Sequence, residues 1–436
     1  MSFNKDLDID SKLTKTGSFS LEEDHDESVS SKAAELPVMD TTYGWVVALS
    51  SSFILMISVG LTNSFGIYLT EYQLNVFPST PTSTLSWIGS LQFGAMTLFG
   101  VGAGILAERF DTRIVVVAGS ISTGLSLIIA SFCRSPIGLV FTQGILFGIS
   151  GSCLMVPSMS LVSQWMQKYR AVATGVAVAG GSLGGLWSSY ATEAFVAKLG
   201  WEWSLRITGF IVIAIGCVAG LFMRKRIHIA RRDRLIDFGV LLNTRFLFLF
   251  SATVLAAGSY FIPFYFMPSY IEVVIGKPSF WGANISSILS ASGVIGRIAM
   301  GMLADCIGPF NAVFVSSLLS SVAMLVLWLP FENLGTLVAS ATLFGLASGS
   351  IVSLVPVMTA ALFGIKRLPS ILGLLLISYT IGVFIGAPVG GVLLDKYGQG
   401  SDYRMLIAYG GALFAAASIL FVVLRFIISP KLFVVV

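Results

Sequence analysis

Charge is what this sequence lacks. Of its 436 residues only 11% are Asp, Glu, Lys or Arg, while 55% are hydrophobic. A water-soluble domain carries about 25% charged residues. A soluble fold cannot cover its surface with so few, so the apolar excess has to face lipid. Histidine is nearly missing: His25 and His228 both lie outside the apolar runs, which excludes a histidine proton relay inside a membrane. Cysteine is scarce too. Cys133, Cys153, Cys217 and Cys306 fall in or at the ends of apolar runs with no metal-ligand spacing, and read as small packing residues. No cofactor is expected. The net charge is only +4, and no basic stripe interleaves with aromatics, so nucleic acid is excluded as a partner. Residues 1–42 are polar, with an acidic run from Glu22 to Glu27 and no apolar signal segment. They read as a disordered cytosolic tail.

What is present is a series of twelve apolar runs, near 43–69, 84–107, 113–133, 136–160, 170–193, 203–223, 244–270, 283–304, 309–329, 334–362, 369–393 and 403–428. A hydrocarbon core of about 30 Å needs about 20 residues of helix, whereas barrel strands are about 10 residues long and alternate. The runs therefore predict an all-α polytopic membrane protein. Arg109, Arg113, Lys168, Arg170, Lys366 and Arg367 fall in loops on one side, together with Arg224, Lys225, Arg226, Arg231, Arg232 and Arg234. The other side holds Arg134, Lys198, Lys277, Lys396 and Arg404. The bias places both termini in the cytosol. It makes 224–243 a basic cytosolic linker between six-helix bundles at 43–223 and 244–428, with a short cytosolic tail at 429–436.

An internal repeat supports this division. Gly104-Ile-Leu-Ala-Glu108 matches Gly301-Met-Leu-Ala-Asp305 at an offset of 197 positions, and Lys168, Gly175 and Gly184 match Lys366, Gly373 and Gly382 at 198. Duplicated bundles place a substrate between the repeats, near the midplane.

Gly104-Ile-Leu-Ala-Glu108-Arg109-Phe110-Asp111-Thr-Arg113 resembles the loop 2–3 motif of the major facilitator superfamily. Asp40-Thr-Thr-Tyr43-Gly44-Trp45 resembles the first signature of the monocarboxylate transporter family. The stretch Trp165-Met-Gln-Lys168-Tyr169-Arg170 through Gly175 and Gly180 to Gly184 resembles the second. The resemblance covers about residues 40–428 and is most like fungal members. It implies alternating access, a cavity lined by helices one, four, seven and ten, and a small organic anion as cargo, monocarboxylate-like or vitamin-like, with a symporter or a facilitator both open. There are departures. Asp111 replaces the motif's glycine, and Asp tolerates a left-handed turn better than most residues. Thr41 and Thr42 replace paired glycines. Animal members carry a helix-one lysine and an Asp–Arg pair in helix eight; here Asn63, Gly293 and Arg297 stand at those positions, so proton coupling does not carry over.

Arg297 is the foremost candidate for substrate binding. A cation within a span is costly and faces the interior or a cavity, and a guanidinium suits a carboxylate; the alternative is an arginine bound to backbone carbonyls. Further candidate contacts are Asn63, Tyr68, Gln143, Tyr260, Tyr265, Ser350 and Tyr379. Each also reads as an interhelical packing residue. The aromatic density around Tyr260 and Tyr265 suits a planar anion, and lipid-facing aromatics are the competing account. Glu108, Arg109, Asp111, Arg113 and Asp305 read as a conformational latch of weak surface pairs, each worth roughly 0–1 kcal/mol. The rows Gly180xxxGly184 and Gly382-Gly386-Gly390 predict close helix crossings, and Pro157 and Pro356 predict bends.

Gly180-Gly-Ser-Leu-Gly184 fits GxSxG, but inside an apolar helix it is no nucleophile elbow. Asn284-Ile-Ser286 fits the glycosylation sequon, though it lies too close to a span for ready enzyme access. An intramembrane enzyme lacks catalytic dyads. A non-transporting nutrient sensor lacks a long cytosolic domain. A transporter, by default in the plasma membrane and alternatively in a vacuolar or other internal one, remains the leading expectation.

Overall fold

The computed structural model describes residues 41–166, 169–226, 238–364 and 368–428. The expected tail up to residue 40, Lys168, most of the linker (227–237), Lys366, Arg367 and the 429–436 tail lie outside the described residues. Among the described residues all regular structure is helical.

The helices are α1 (Thr42–Val76), then α2, a pair Thr82–Leu98 and Gly100–Arg109 bent by 45°, α3 (Thr112–Ala130) and α4 (Pro136–Trp165). Next come α5 (Arg170–Leu199) and α6 (Trp201–Leu221), then α7 (Thr244–Val273), α8 (Ser279–Ile307) and α9 (Pro309–Trp328). The last three are α10 (Leu334–Phe363), α11 (Leu368–Lys396) and α12 (Arg404–Ile428). Ten of these elements cross a bilayer on length and hydropathy alone, and the bent pair makes an eleventh. The remaining one, α5, is 30 residues long.

Local chemistry sets the boundaries. Asp111, Ser135, Asn243 and Asn333 cap α3, α4, α7 and α10 by accepting from backbone N–H groups. Asp111 corrects an expectation: its backbone is extended (φ −61°, ψ 128°), not left-handed, and its carboxylate caps α3 through the Arg113 N–H at 3.0 Å. Helix α1 is interrupted at Ser58 and Ser64, whose hydroxyls return to the Ile54 and Leu61 carbonyls. Such back-bonding bends helices. In α2 the Thr97 hydroxyl draws on the Phe93 and Gly94 carbonyls just before the bend. Helices α4 and α10 continue through Pro157 and Pro356.

Within the first six helices, α1 packs on α5 and α3 on α6 and α4; within the last six, α8 packs on α10 and α7 on α11 and α12. The main crossings between the sixes are α2 with α11, α5 with α8, and α1 with α7. The glycine rows make the close crossings. A Cβ on Gly180 or Gly184 would collide with the Ser52 or Met56 carbonyl of α1, and one on Gly386 with the Gly258 carbonyl of α7. Toward the face that holds Arg109 and the start of α5, a Cβ on Gly175 or Gly301 would meet nothing within 4 Å among the described residues.

Candidate functional site

Arg297 sits on the seam between the sixes. Its Nε donates to the Gly349 carbonyl of α10 at 3.3 Å, and its Nη1 to the Val178 carbonyl and Ser182 Oγ of α5 at 3.1 and 2.6 Å. Its guanidinium also faces the Tyr260 hydroxyl. Among the described residues no carboxylate pairs with it. Carbonyl dipoles stabilise its charge without neutralising it.

Beside Tyr260 lies a cavity of about 20 Å³ lined by Phe93 of α2, Tyr260 and Phe261 of α7, Ile351 of α10, and Tyr379 and Val383 of α11. That is room for about one water, so this conformation holds the space contracted around aromatic rings. Phe93 and Phe261 have ring centroids 4.9 Å apart, and Tyr260 and Phe264 5.4 Å. Phe261, Phe264, Tyr265 and Tyr270 are all buried, which sets aside the lipid-facing account of the α7 aromatics. Among the described residues the Tyr379 hydroxyl is buried with no partner, as are the Tyr265 hydroxyl and Asn63 Oδ1.

The sequence candidates divide. Tyr260 and Tyr379 line the cavity, and Arg297 stands behind it, facing the Tyr260 hydroxyl. Tyr265 is inserted among the first six helices, its ring 5.2 Å from Phe65 and hard against Gly89. Asn63 sits by Gly185 and Ser290, where α1, α5 and α8 meet. Tyr68 bonds Ser204 at 2.8 Å, Gln143 accepts from Tyr72 at 2.9 Å, and Ser350 bonds Ser316 at 2.7 Å. These three are engaged inside their own six. Sequence reasoning passed over Phe93 and Val383 because nothing distinguishes them from other apolar span residues.

The two signature stretches meet each other. The Tyr43 ring lies 4.8 Å from Trp165, Trp45 lies 6.3 Å from Tyr169, and Met166 Sδ stands 3.0 Å from where a Gly44 Cβ would be. Tyr43 also donates to the Phe222 carbonyl at 2.9 Å. The start of α1 is thereby stacked on the α4–α5 connection. Arg170 opens α5, and Gly175 stands free of contact one turn further on.

Glu108, Arg109, Asp111 and Asp305 are exposed, and none of them nor Arg113 forms an ion pair among the described residues. Lys225 reaches across to the Glu108 and Phe110 carbonyls at 3.0 and 2.7 Å. Partial burial lowers its pKa, opposed by the Asp111 and Glu108 carboxylates. At the opposite face, Asn284 Oδ1 accepts from Tyr190 at 3.0 Å, so the sequon asparagine lies in the α5–α8 seam.

The family model described as Major Facilitator Superfamily matches residues 42–331 and 285–432. Among curated proteins, the chain is 28% identical over 407 residues to the MFS-type transporter pynF of Aspergillus niger, covering 91% of this chain and 92% of that one. It is 29% identical over 411 residues to the agnestins efflux protein AgnL12 of Paecilomyces divaricatus, covering 93% of each. It is 29% identical over 377 residues to the aspyridones efflux protein apdF of Emericella nidulans, covering 85% and 76%. Among solved structures, nucleoside transporter NupG superposes with TM-score 0.67 at 14% identity, covering 88% of this chain and 99% of that one. A bacterial homolog of the human lysosomal transporter Spinster gives 0.63 at 14%, covering 88% and 96%.

Proposed function

The chain belongs to the Major Facilitator Superfamily, and from that premise we propose that it exports a small organic anion with a planar or aromatic body by alternating access. The observation that carries this is the uncompensated Arg297 guanidinium beside the aromatic cavity. A carboxylate or phenolate entering there gains a charge-assisted partner, while Phe93, Phe261 and Tyr260 offer ring faces and the Tyr379 hydroxyl a donor. The outward direction is supported by relatives named as efflux proteins for agnestins and aspyridones.

The basic loops favour both termini in the cytosol, with 43–223 and 244–428 as the two rocking bodies. The plasma membrane is the default site for an exporter. With Gly293 and Asn63 at the positions of the relatives' titratable groups, coupling does not run through those two residues.

The test is transport in proteoliposomes of a mixed pool of organic acids, read by mass spectrometry, for wild type and Arg297→Ala at equal abundance. Movement of an anion by wild type, with loss in the variant, is expected. Equal movement by both removes the anion anchor, and no movement of any acid by wild type removes the proposal.

A further inference from the structure

On the face opposite the chain ends, α2 and α8 begin alike. Pro81-Thr82 and Pro278-Ser279 stand 197 positions apart, the offset of the repeat. Their N-cap residues are Pro81 and Pro278, which bring no capping side chain. In both cases a carboxylate from the other six helices meets the start of the helix. Asp395, late in α11, accepts the Thr82 N–H on Oδ1 and the Ser83 N–H on Oδ2, each at 2.9 Å. Glu193, late in α5, accepts from Ser279 Oγ at 3.2 Å.

A helix N-terminus carries partial positive charge and unpaired N–H groups, so a carboxylate placed there is held by charge-assisted bonds. We propose that Asp395 and Glu193 are closing contacts of this face, one on the start of α2 and one on the start of α8, and that their rupture is the step that opens it. The inference rests on the alternating-access reading. The two contacts are unequal. Asp395 is half-buried and bidentate, and Gly391 of α11 lies tight on Ser83 and Ser86. The Glu193 bond is single and ends on an exposed serine. The α2–α11 contact therefore dominates closure.

Ser86 is fully buried in this seam. With the four native cysteines replaced by alanine, Ser86→Cys is labelled in nanodiscs by a charged maleimide. Asp395→Asn is expected to raise the labelling rate about tenfold, the size expected for losing a charge-assisted bond. Glu193→Gln is expected to raise it about two- to threefold, and the double variant by about the product. Asp395→Glu restores most of the protection. Glu332→Gln, which breaks only the surface pair with Arg404 inside the last six helices, leaves the rate unchanged. Gly391→Ala, which presses α11 away from α2 with the carboxylate intact, gives an independent intermediate rise should Asp395→Asn fail to stay monodisperse. Wild-type labelling in both Asp395→Asn and Gly391→Ala, or an equal rise in Glu332→Gln, overturns the proposal. Labelling needs no substrate, so its failure leaves the transport reading standing, and a failed transport assay leaves the labelling result interpretable.

Discussion

The Arg297 guanidinium donates to Ser182 Oγ at 2.6 Å, which ties the only cation of α8 to a helix of the other six. The same group bonds carbonyls of α5 and α10, so it joins three helices at once. Arg297→Ala is expected to slow transport more than tenfold and to lower thermal stability, since three hydrogen bonds are lost at about 0.5–1.5 kcal/mol each. Ser182→Ala removes one bond and is expected to slow transport two- to fivefold. Arg297→Lys keeps the charge without the fork and falls between them. Initial rates and melting curves at matched abundance decide the order.

The Tyr379 hydroxyl is buried and unpartnered beside the cavity. A donor left without an acceptor is a cost to the fold, so Tyr379→Phe is expected to leave the melting temperature unchanged or slightly raised. If that hydroxyl meets the cargo, KM rises about five- to tenfold, the worth of one hydrogen bond. An unchanged KM assigns the hydroxyl no part in binding.

Asp111 acts through its cap. Asp111→Ala is expected to cost about 1 kcal/mol of stability, whereas Asp111→Asn, an equally good cap, costs a few tenths. Thermal unfolding of the two purified variants separates capping from any role of the charge. Slowed transport in Asp111→Asn at unchanged stability indicates a latch.

Gly180 and Gly301 should respond oppositely to alanine. At Gly180 the new methyl collides with the Ser52 carbonyl, while at Gly301 it meets open space. Gly180→Ala is expected to separate α5 from α1 and cost more than about 2 kcal/mol. Gly301→Ala is expected to be neutral or stabilising by up to about 1 kcal/mol, yet to slow turnover if that face must close. Melting temperature and initial rate, measured together, show whether the two effects part.

The fold was legible because hydropathy along a lipid-facing chain is a strong signal. The place of Arg297 was legible for the same reason. Its partners were not, because the Val178 and Gly349 carbonyls belong to every residue type alike. Tyr68, Gln143 and Ser350 lie on helices expected to line the cavity, but each residue turns the helix face by about 100°, and all three bond within their own six. Asp395 falls just beyond the apolar run 369–393, and no motif marks it. The clue to it lay elsewhere, in the repetition of proline and a hydroxylated residue at 81–82 and 278–279.

The empty space beside Gly175 and Gly301 has a thermodynamic meaning. Both glycines belong to the repeated stretches, and they stand bare at one face while Gly391 is packed against α2 near the other. On the alternating-access proposal, swinging the halves would exchange one set of helix crossings for another of the same kind, made by small residues. Two forms that differ by such an exchange lie close in free energy. A modest gradient of cargo, or one carboxylate lifted from a helix end, is then enough to set which form is populated.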